Sequence, residues 1–338
     1  MNLPRSYLAF HFLLLLLGIA CATARVSMAE WNAFKQKYGK LYDYNDNMRH
    51  YGIYKWRALK VQEHNRRFAA GEVGYEMGLN EFSDTIQNVI AFRSNGAEPE
   101  ADAPTQNRTI PSNYKYYDQI TDGKDWRESG CISPVGNQGT ECLACWAFAA
   151  SGAIEAHLAL KNHRLVELSP KHLLDCTNGY SAKCEGGWVS VAFNYTIENG
   201  IATKESYPFV PLSEECRYDR TTSAGRVRGY VTLNNADERE LAEVVYNIGP
   251  VAVSIDHLHQ SFQNYKRGVL KDEKCRSDRG SLRHAMLVVG FGTDAEWGDY
   301  WLIKNSYGTS WGIDGYLKLA RNAGNMCGVA SIPQYPLV

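Results

Sequence analysis

Pro134-Val135-Gly136-Asn137-Gln138-Gly139-Thr140-Glu141-Cys142-Leu143-Ala144-Cys145-Trp146-Ala147-Phe148 is a polar, glycine-bearing loop that runs into an apolar segment. From Trp146 to Leu158 the residues are Ala-rich and apolar at helical spacing. Cys145 therefore stands at a first helical turn, against unpaired backbone N–H groups and the positive end of the helix dipole. Both favour thiolate over thiol. On these residues alone Cys142-x-x-Cys145 has two readings, a structural disulfide or a nucleophile, and the surroundings must decide.

Residues 1–24 read as a secretory signal. Arg5 gives a positive start, Leu8 to Ala22 is apolar, and Ala22-Thr23-Ala24 is a small-residue cleavage site. The apolar run is about 15 residues and includes His11, where a membrane span needs roughly 20. The expected destination is the secretory pathway, then the lysosome or the extracellular space, where disulfides persist. Of 9 cysteines, Cys21 leaves with the signal. A net charge of −1 argues against nucleic acid or an anionic membrane as partner. No cofactor is expected. No metal is expected either: the cysteines do not form two close pairs, and His257-x-His259 alone reads as a loop.

Residues 29–70 predict two helices with a turn at Asp43–Asp46, and Gly78–Asp84 alternates like a short strand. Residues 94–113, rich in Ser, Asn, Gly, Glu, Pro and Thr, read as a linker. Asn107 and Asn194 begin glycosylation acceptor triplets. From about 120 to 225 helices alternate with Cys-rich loops. Ser169-Pro170 starts one helix. Cys184-Glu185-Gly186-Gly187 turns into another, Trp188 to Glu198, which ends at Asn199-Gly200. From about 226 to 330 strand-like runs follow: Val227–Leu233, Pro250–Ile255, Ala285–Phe291, Tyr300–Lys304 and Gly315–Ala320. A helix-rich half thus precedes a sheet-rich half, and a cleft between them is a natural site.

A thiolate nucleophile needs a base, and the base an orienting group. His284 opens an apolar strand. Asn305 follows the strand ending at Lys304, in Asn305-Ser306-Tyr307-Gly308, with Trp311-Gly312 close behind. Gln138, upstream of Cys145, has a side-chain N–H that can reach an oxyanion, and the Cys145 backbone N–H is the second donor. Together with Cys142-x-x-Cys145-Trp146-Ala147-Phe148 and Cys184-x-Gly186-Gly187, these residues resemble the papain-like cysteine peptidases, most closely the cathepsin L-like branch. The resemblance continues upstream. Gly78-x-Asn80-x-Phe82-x-Asp84 matches the family's short pro-segment motif. Asp46, His50, Tyr54, Arg57, Val61 and Asn65 keep the spacings of the long one, with only Asn65 the family residue.

The resemblance implies an α+β, two-lobed papain-like fold. A helix-rich lobe faces an antiparallel β-barrel-like lobe across a cleft, behind a helical pro-segment. It implies a signal (1–24), an inhibitory pro-segment (25–112) and a peptidase domain (113–338). The implied roles are Cys145 as nucleophile, His284 as its ion-pair partner and proton donor, Asn305 as orienter, and Gln138 as oxyanion donor. Gly186, Gly187, Trp188, Val189, Leu282 and Ile332 fall where the family binds substrate, with an apolar pocket for the side chain two residues before the scissile bond. Disulfides are implied at Cys142–Cys184, Cys176–Cys216 and Cys275–Cys327, leaving Cys131 as a buried thiol. Implied partners are protein or peptide substrates, the chain's own pro-segment and cystatin-type inhibitors, for a monomer.

Four departures from the family pattern cluster near the site. One extra residue lies at Thr140-Glu141, and Leu143 stands at a family glycine. Tyr307 stands at a family tryptophan, and Arg283 at an acidic residue. They raise an alternative, a catalytically weak or silent homologue that acts by binding.

Overall fold

The computed structural model describes residues 26–85, 123–177, 183–233 and 236–338. The signal, the linker, Asn107 and the junction near residue 112 lie outside the described residues. The N-terminal unit holds helices α1 (Met28–Lys37) and α2 (Tyr44–Ala69). Ser27 and Glu30 close a reciprocal capping box at α1. Asp43 caps α2 by accepting from the Asp46 N–H, so Asp46 belongs to the helix's first turn rather than to the connecting turn, which lies before it. Trp31, Phe34 and Tyr54 lock the two helices through ring contacts of 5.5, 5.3 and 4.7 Å. The strand expected at Gly78–Asp84 is absent there. Strand β1 is Tyr75–Met77, and the following residues form turns, because Asn80 and Ser83 side chains satisfy local backbone N–H groups in place of a strand partner.

In the helix-rich lobe, after the short strand β2 (Lys124–Asp125), lie α3 (Cys145–Asn162), α4 (Pro170–Cys176) and α5 (Val189–Asn199). Ser169 caps α4 with Pro170 at its first position, and Gly200, at φ 76°, ends α5 as its pattern predicts. Asn194 sits half-buried inside α5 rather than on a loop. The α3 helix is buried nearly all round. Its small residues let it approach the sheet closely: a side chain at Gly152 would meet Leu287 at 3.2 Å.

The second half supplies β3 (Gly229–Thr232), helix α6 (Glu238–Asn247), β4 (Val251–Ile255), β5 (Tyr265–Gly268), β6 (His284–Asp294), β7 (Gly298–Lys304), β8 (Tyr316–Ala320) and β9 (Gln334–Leu337). Strand β5 pairs with β1, which fastens the N-terminal unit to the sheet lobe. The main antiparallel sheet runs β3-β9-β4-β6-β7-β8, with β2 on β6. Two of its strands, β2 and β9, lie outside the expected 226–330 stretch. Apolar residues of both helices and strands fill the space between the lobes. All three implied disulfides are present, with Cys131 and Cys145 free and buried. Among the described residues, no helix is long and apolar enough to cross a membrane.

Candidate active site

Cys145 is the first residue of α3, and the loop before it is held at several points. Cys142 is bonded to Cys184, and the Leu143 N–H donates to the Cys184 carbonyl at 2.9 Å. Leu143 is not among the positive-φ residues. That conformation falls on Gly139 (φ 75°), so the bulkier side chain at 143 brings no left-handed strain. The Gln138 N–H donates to the Ser306 carbonyl at 2.8 Å, and the Gln138 side-chain oxygen accepts from Ser306 Oγ at 2.6 Å. Gln138 Nε2 donates to the Cys142 carbonyl at 3.1 Å and keeps a second N–H. Glu141 is exposed, so the extra residue is taken up on the surface while Gln138 stays buried and clamped.

His284 opens β6 opposite Ile255 of β4. Its Nε2 lies 2.8 Å from Asn305 Oδ1, and the Ser306 N–H donates to that same oxygen at 2.8 Å. A backbone N–H can donate only to an acceptor, so the Asn305 amide oxygen must face this way. Nε2 of His284 must then carry the proton, which leaves Nδ1 bare and available as a base. The Tyr307 ring lies 4.8 Å from the imidazole and Phe262 5.6 Å, so aromatic faces cover the histidine with tyrosine in the tryptophan position.

Gln138, Leu143, Cys145, His284 and Tyr307 line one cavity of about 120 Å³, and Phe82 and Thr85 of the N-terminal unit close it. Phe82 packs on Tyr307 at 4.6 Å. Asn80 Nδ2 donates to the Gln263 carbonyl at 2.7 Å, and Asn264 Nδ2 donates to the Gly78 carbonyl at 3.0 Å. The turn motif thus clamps the N-terminal unit over the cavity. Behind it, Asp84 is fully buried between Lys40 (3.2 Å) and the Tyr42 hydroxyl (2.6 Å), while Arg57 donates to the Phe82 and Thr85 carbonyls.

Burial pushes the Cys145 thiol up, although N–H groups of Ala285, Trp146 and Cys145 pull the other way. Burial also takes the His284 imidazole down to about 4, against its bond to Asn305. In this closed form burial therefore opposes the charged form of both groups, and with it the ion pair that the resemblance implies. The magnitudes set the balance. A helix terminus is worth about 0.3–1 kcal/mol, up to ~2. Full burial of an ionisable group moves its pKa by up to about 3–5 units, on the order of 4–7 kcal/mol.

The residues expected to bind substrate lie elsewhere. Gly186, Gly187, Trp188, Val189, Leu282 and Ile332 are not among those lining this cavity. Trp188 is the N-cap of α5, Val189 is buried in the helix-rich core, and Leu282 packs on Gly328, where an added Cβ would meet it at 2.4 Å. The histidines of His257-x-His259 are split. His259 rests on Asp256 at 3.1 Å, whereas His257 turns to His284 with ring centroids 4.9 Å apart. Three supports escaped the sequence reading. Ser306 holds Gln138, and His257 lines the cavity. Glu155 on α3 accepts from Ser133 Oγ (2.5 Å), which also accepts from Lys304 at 3.0 Å, tying the helix that begins at Cys145 to the strand that leads into Asn305. A lone Lys at the end of the apolar run Tyr300–Lys304 is the one signal that pointed to a buried partner.

Residues 120–337 match the papain family of cysteine proteases, and residues 31–87 match the cathepsin propeptide inhibitor domain. Cathepsin L1 of Drosophila melanogaster is 38% identical over 96% of this chain and 90% of its own length. Cathepsin S of Bos taurus is 39% identical over 90% of this chain and 91% of its own. The solved structure of digestive procathepsin L 3 from Tenebrio molitor larval midgut superposes with a TM-score of 0.81 at 36% identity, covering 92% of this chain and 99% of the other. The chain therefore belongs to the papain family of cysteine proteases, in its cathepsin L-like branch, and carries that branch's propeptide inhibitor domain.

Proposed function

We propose that the chain is a cathepsin L-like cysteine endopeptidase, made as a proenzyme in the secretory pathway and activated in acid, in the lysosome or outside the cell. The observation that carries this is the His284 imidazole, its Nε2–H bound to Asn305 and its Nδ1 bare, in one cavity with Cys145. Cys145 passes its proton to His284 Nδ1, and the sulfur attacks the peptide carbonyl carbon. The second Gln138 N–H and the Cys145 backbone N–H stabilise the resulting oxyanion. The imidazolium then protonates the leaving amine, the C–N bond breaks, and a thioester remains. Water attacks the thioester, its proton goes to His284, the acid leaves, and the thiol is restored. Gly186, Gly187, Trp188, Val189, Leu282 and Ile332 are proposed to form the acyl side of the substrate cleft once the pro-segment has gone.

The pro-segment, 25–112, acts as the intramolecular inhibitor. The buried ion pair of Asp84 with Lys40 holds the Gly78–Asp84 clamp, and acid activation is proposed to work by loosening it. The test is hydrolysis of peptides blocked at both ends by the acid-processed protein. Internal cleavage is the expected result. A processed, folded protein that binds these peptides without cutting them would establish the silent alternative, which the bare Nδ1 and the clamped Gln138 oppose.

A further inference from the structure

His257 is a buried polar group in the cavity that the catalytic cycle leaves unused. It is 7% exposed, lines the cavity with Cys145 and His284, and its Nδ1 has no hydrogen-bond partner. An unpaired buried polar atom costs about 1–3 kcal/mol, and a ligand that pairs it at this site recovers that cost. The obvious internal partner is committed elsewhere. The neighbouring Asp256 carboxylate accepts from the Leu258 N–H, the Arg276 N–H and His259. The second group on this side is Arg283, a residue that lines the same cavity and whose backbone N–H is tied to the Ile255 carbonyl at 3.0 Å. Strand pairing of Ile255 with His284 therefore sets His257, Arg283 and His284 at one edge.

Position along the substrate follows from the chemistry. His284 hands its proton to the leaving amine, so groups packed on His284 face the residues after the scissile bond. Burial keeps the His257 imidazole well below its ordinary range, with His284, Arg283 and His259 adding to the shift. His257 is thus a neutral hydrogen-bonding group, and Arg283 is the permanent charge. Resting on the peptidase reading above, we propose that His257 and Arg283 form a leaving-side subsite that selects an acidic residue immediately after the scissile bond. The guanidinium supplies the charge and the orphaned imidazole nitrogen the directional hydrogen bond, in the tautomer that carries its proton on Nδ1.

The test uses acid-processed enzyme near about pH 6, where side-chain carboxylates are ionised. Internally quenched peptides differ only in the residue after the scissile bond: Asp, Asn, Leu or Lys. Each rate is normalised by active-site titration, and the Asp:Lys ratio of kcat/KM is the readout, so a general loss of activity in a variant cancels. Roughly tenfold or more in favour of Asp is expected, Arg283→Ala should bring the ratio towards unity, and His257→Ala should lower it with Asn falling alongside Asp. The same peptides are measured for binding to the processed Cys145→Ala protein. A binding preference for Asp without cleavage by the parent sinks the peptidase reading and leaves this subsite standing. Vigorous cleavage with equal or Lys-favouring ratios, or a ratio unmoved in both variants, overturns the subsite and leaves the peptidase.

Discussion

Asn305 Oδ1 accepts two hydrogen bonds, one from the His284 imidazole and one from the Ser306 backbone, and those bonds decide which nitrogen of His284 carries the proton. Replacing Asn305 with Ala removes the tautomer lock and is expected to lower kcat/KM about 10- to 100-fold, the cost of ~1–3 kcal/mol in the transition state. Steady-state kinetics on a short fluorogenic peptide measures it. Gln138→Ala should lower kcat by roughly 10²–10³ with little change in KM, because its donor acts on the oxyanion and not on the bound peptide. Equal loss in both parameters would point to substrate binding instead. Gln138, Cys145, His284 and Asn305, which the structure brings together, could be singled out in the sequence because each proposed role admits few side chains. His257 was not, since a lone histidine in sequence says nothing about which ring it will face. The desolvation that pushes the Cys145 thiol up was not legible either, because the helix start is visible in sequence and the burial around it is not.

The two elements that carry the site, α3 and β6, were readable from the Ala-rich apolar run and from the continuous apolar stretch after His284. Boundaries failed where polar side chains replace backbone pairing, as at Asn80 and Ser83. The pro-segment clamp has a similar origin. Asn65, on α2, donates to the Met77 carbonyl at 2.8 Å and accepts from the Met77 N–H at 2.9 Å, pinning β1 for its pairing with β5. Asn65→Ala should weaken the clamp by about 1–2 kcal/mol and raise the rate of acid self-processing accordingly. A gel time course at fixed pH reads this, and an unchanged rate would show that β1 docks without its pin. In the helix-rich lobe, the fully buried Lys171 ammonium meets both Asp175 oxygens at 2.7 Å. Lys171→Met leaves that carboxylate uncompensated and is expected to cost about 3–5 kcal/mol in chemical denaturation.

Across the whole molecule, acid works against the closed form through more than carboxylates. His157, His172 and His284 are each lowered by burial to about 4, from an ordinary value of 6.5. The unfolded chain then binds more protons than the folded one as pH falls below about 6.5. Each such histidine withdraws stability between there and about pH 4, up to ~3 kcal/mol apiece. Only His284 is buried partly beneath pro-segment residues, so its share also favours opening of the cavity. Thermal unfolding of the Cys145→Ala proenzyme, which cannot process itself, should show Tm falling from pH 7 to pH 4.5. A flat profile would remove the histidines from the picture. The two-lobed architecture and the docking of an N-terminal unit on the cleft were visible in the order of separated motifs. The closure of the cavity by Phe82 and Thr85 emerged only when distant segments were seen in contact.

The most direct measurement is labelling of the protein by an epoxide cysteine-peptidase inhibitor before and after acid processing, with peptide hydrolysis followed in parallel. The expected result is slow labelling of the proenzyme, rapid one-to-one labelling of the processed chain at Cys145, and loss of hydrolysis in step. A folded, processed chain that neither labels at Cys145 nor hydrolyses peptide, or one that labels at Cys131 with activity intact, would contradict the assignment of Cys145 as the nucleophile.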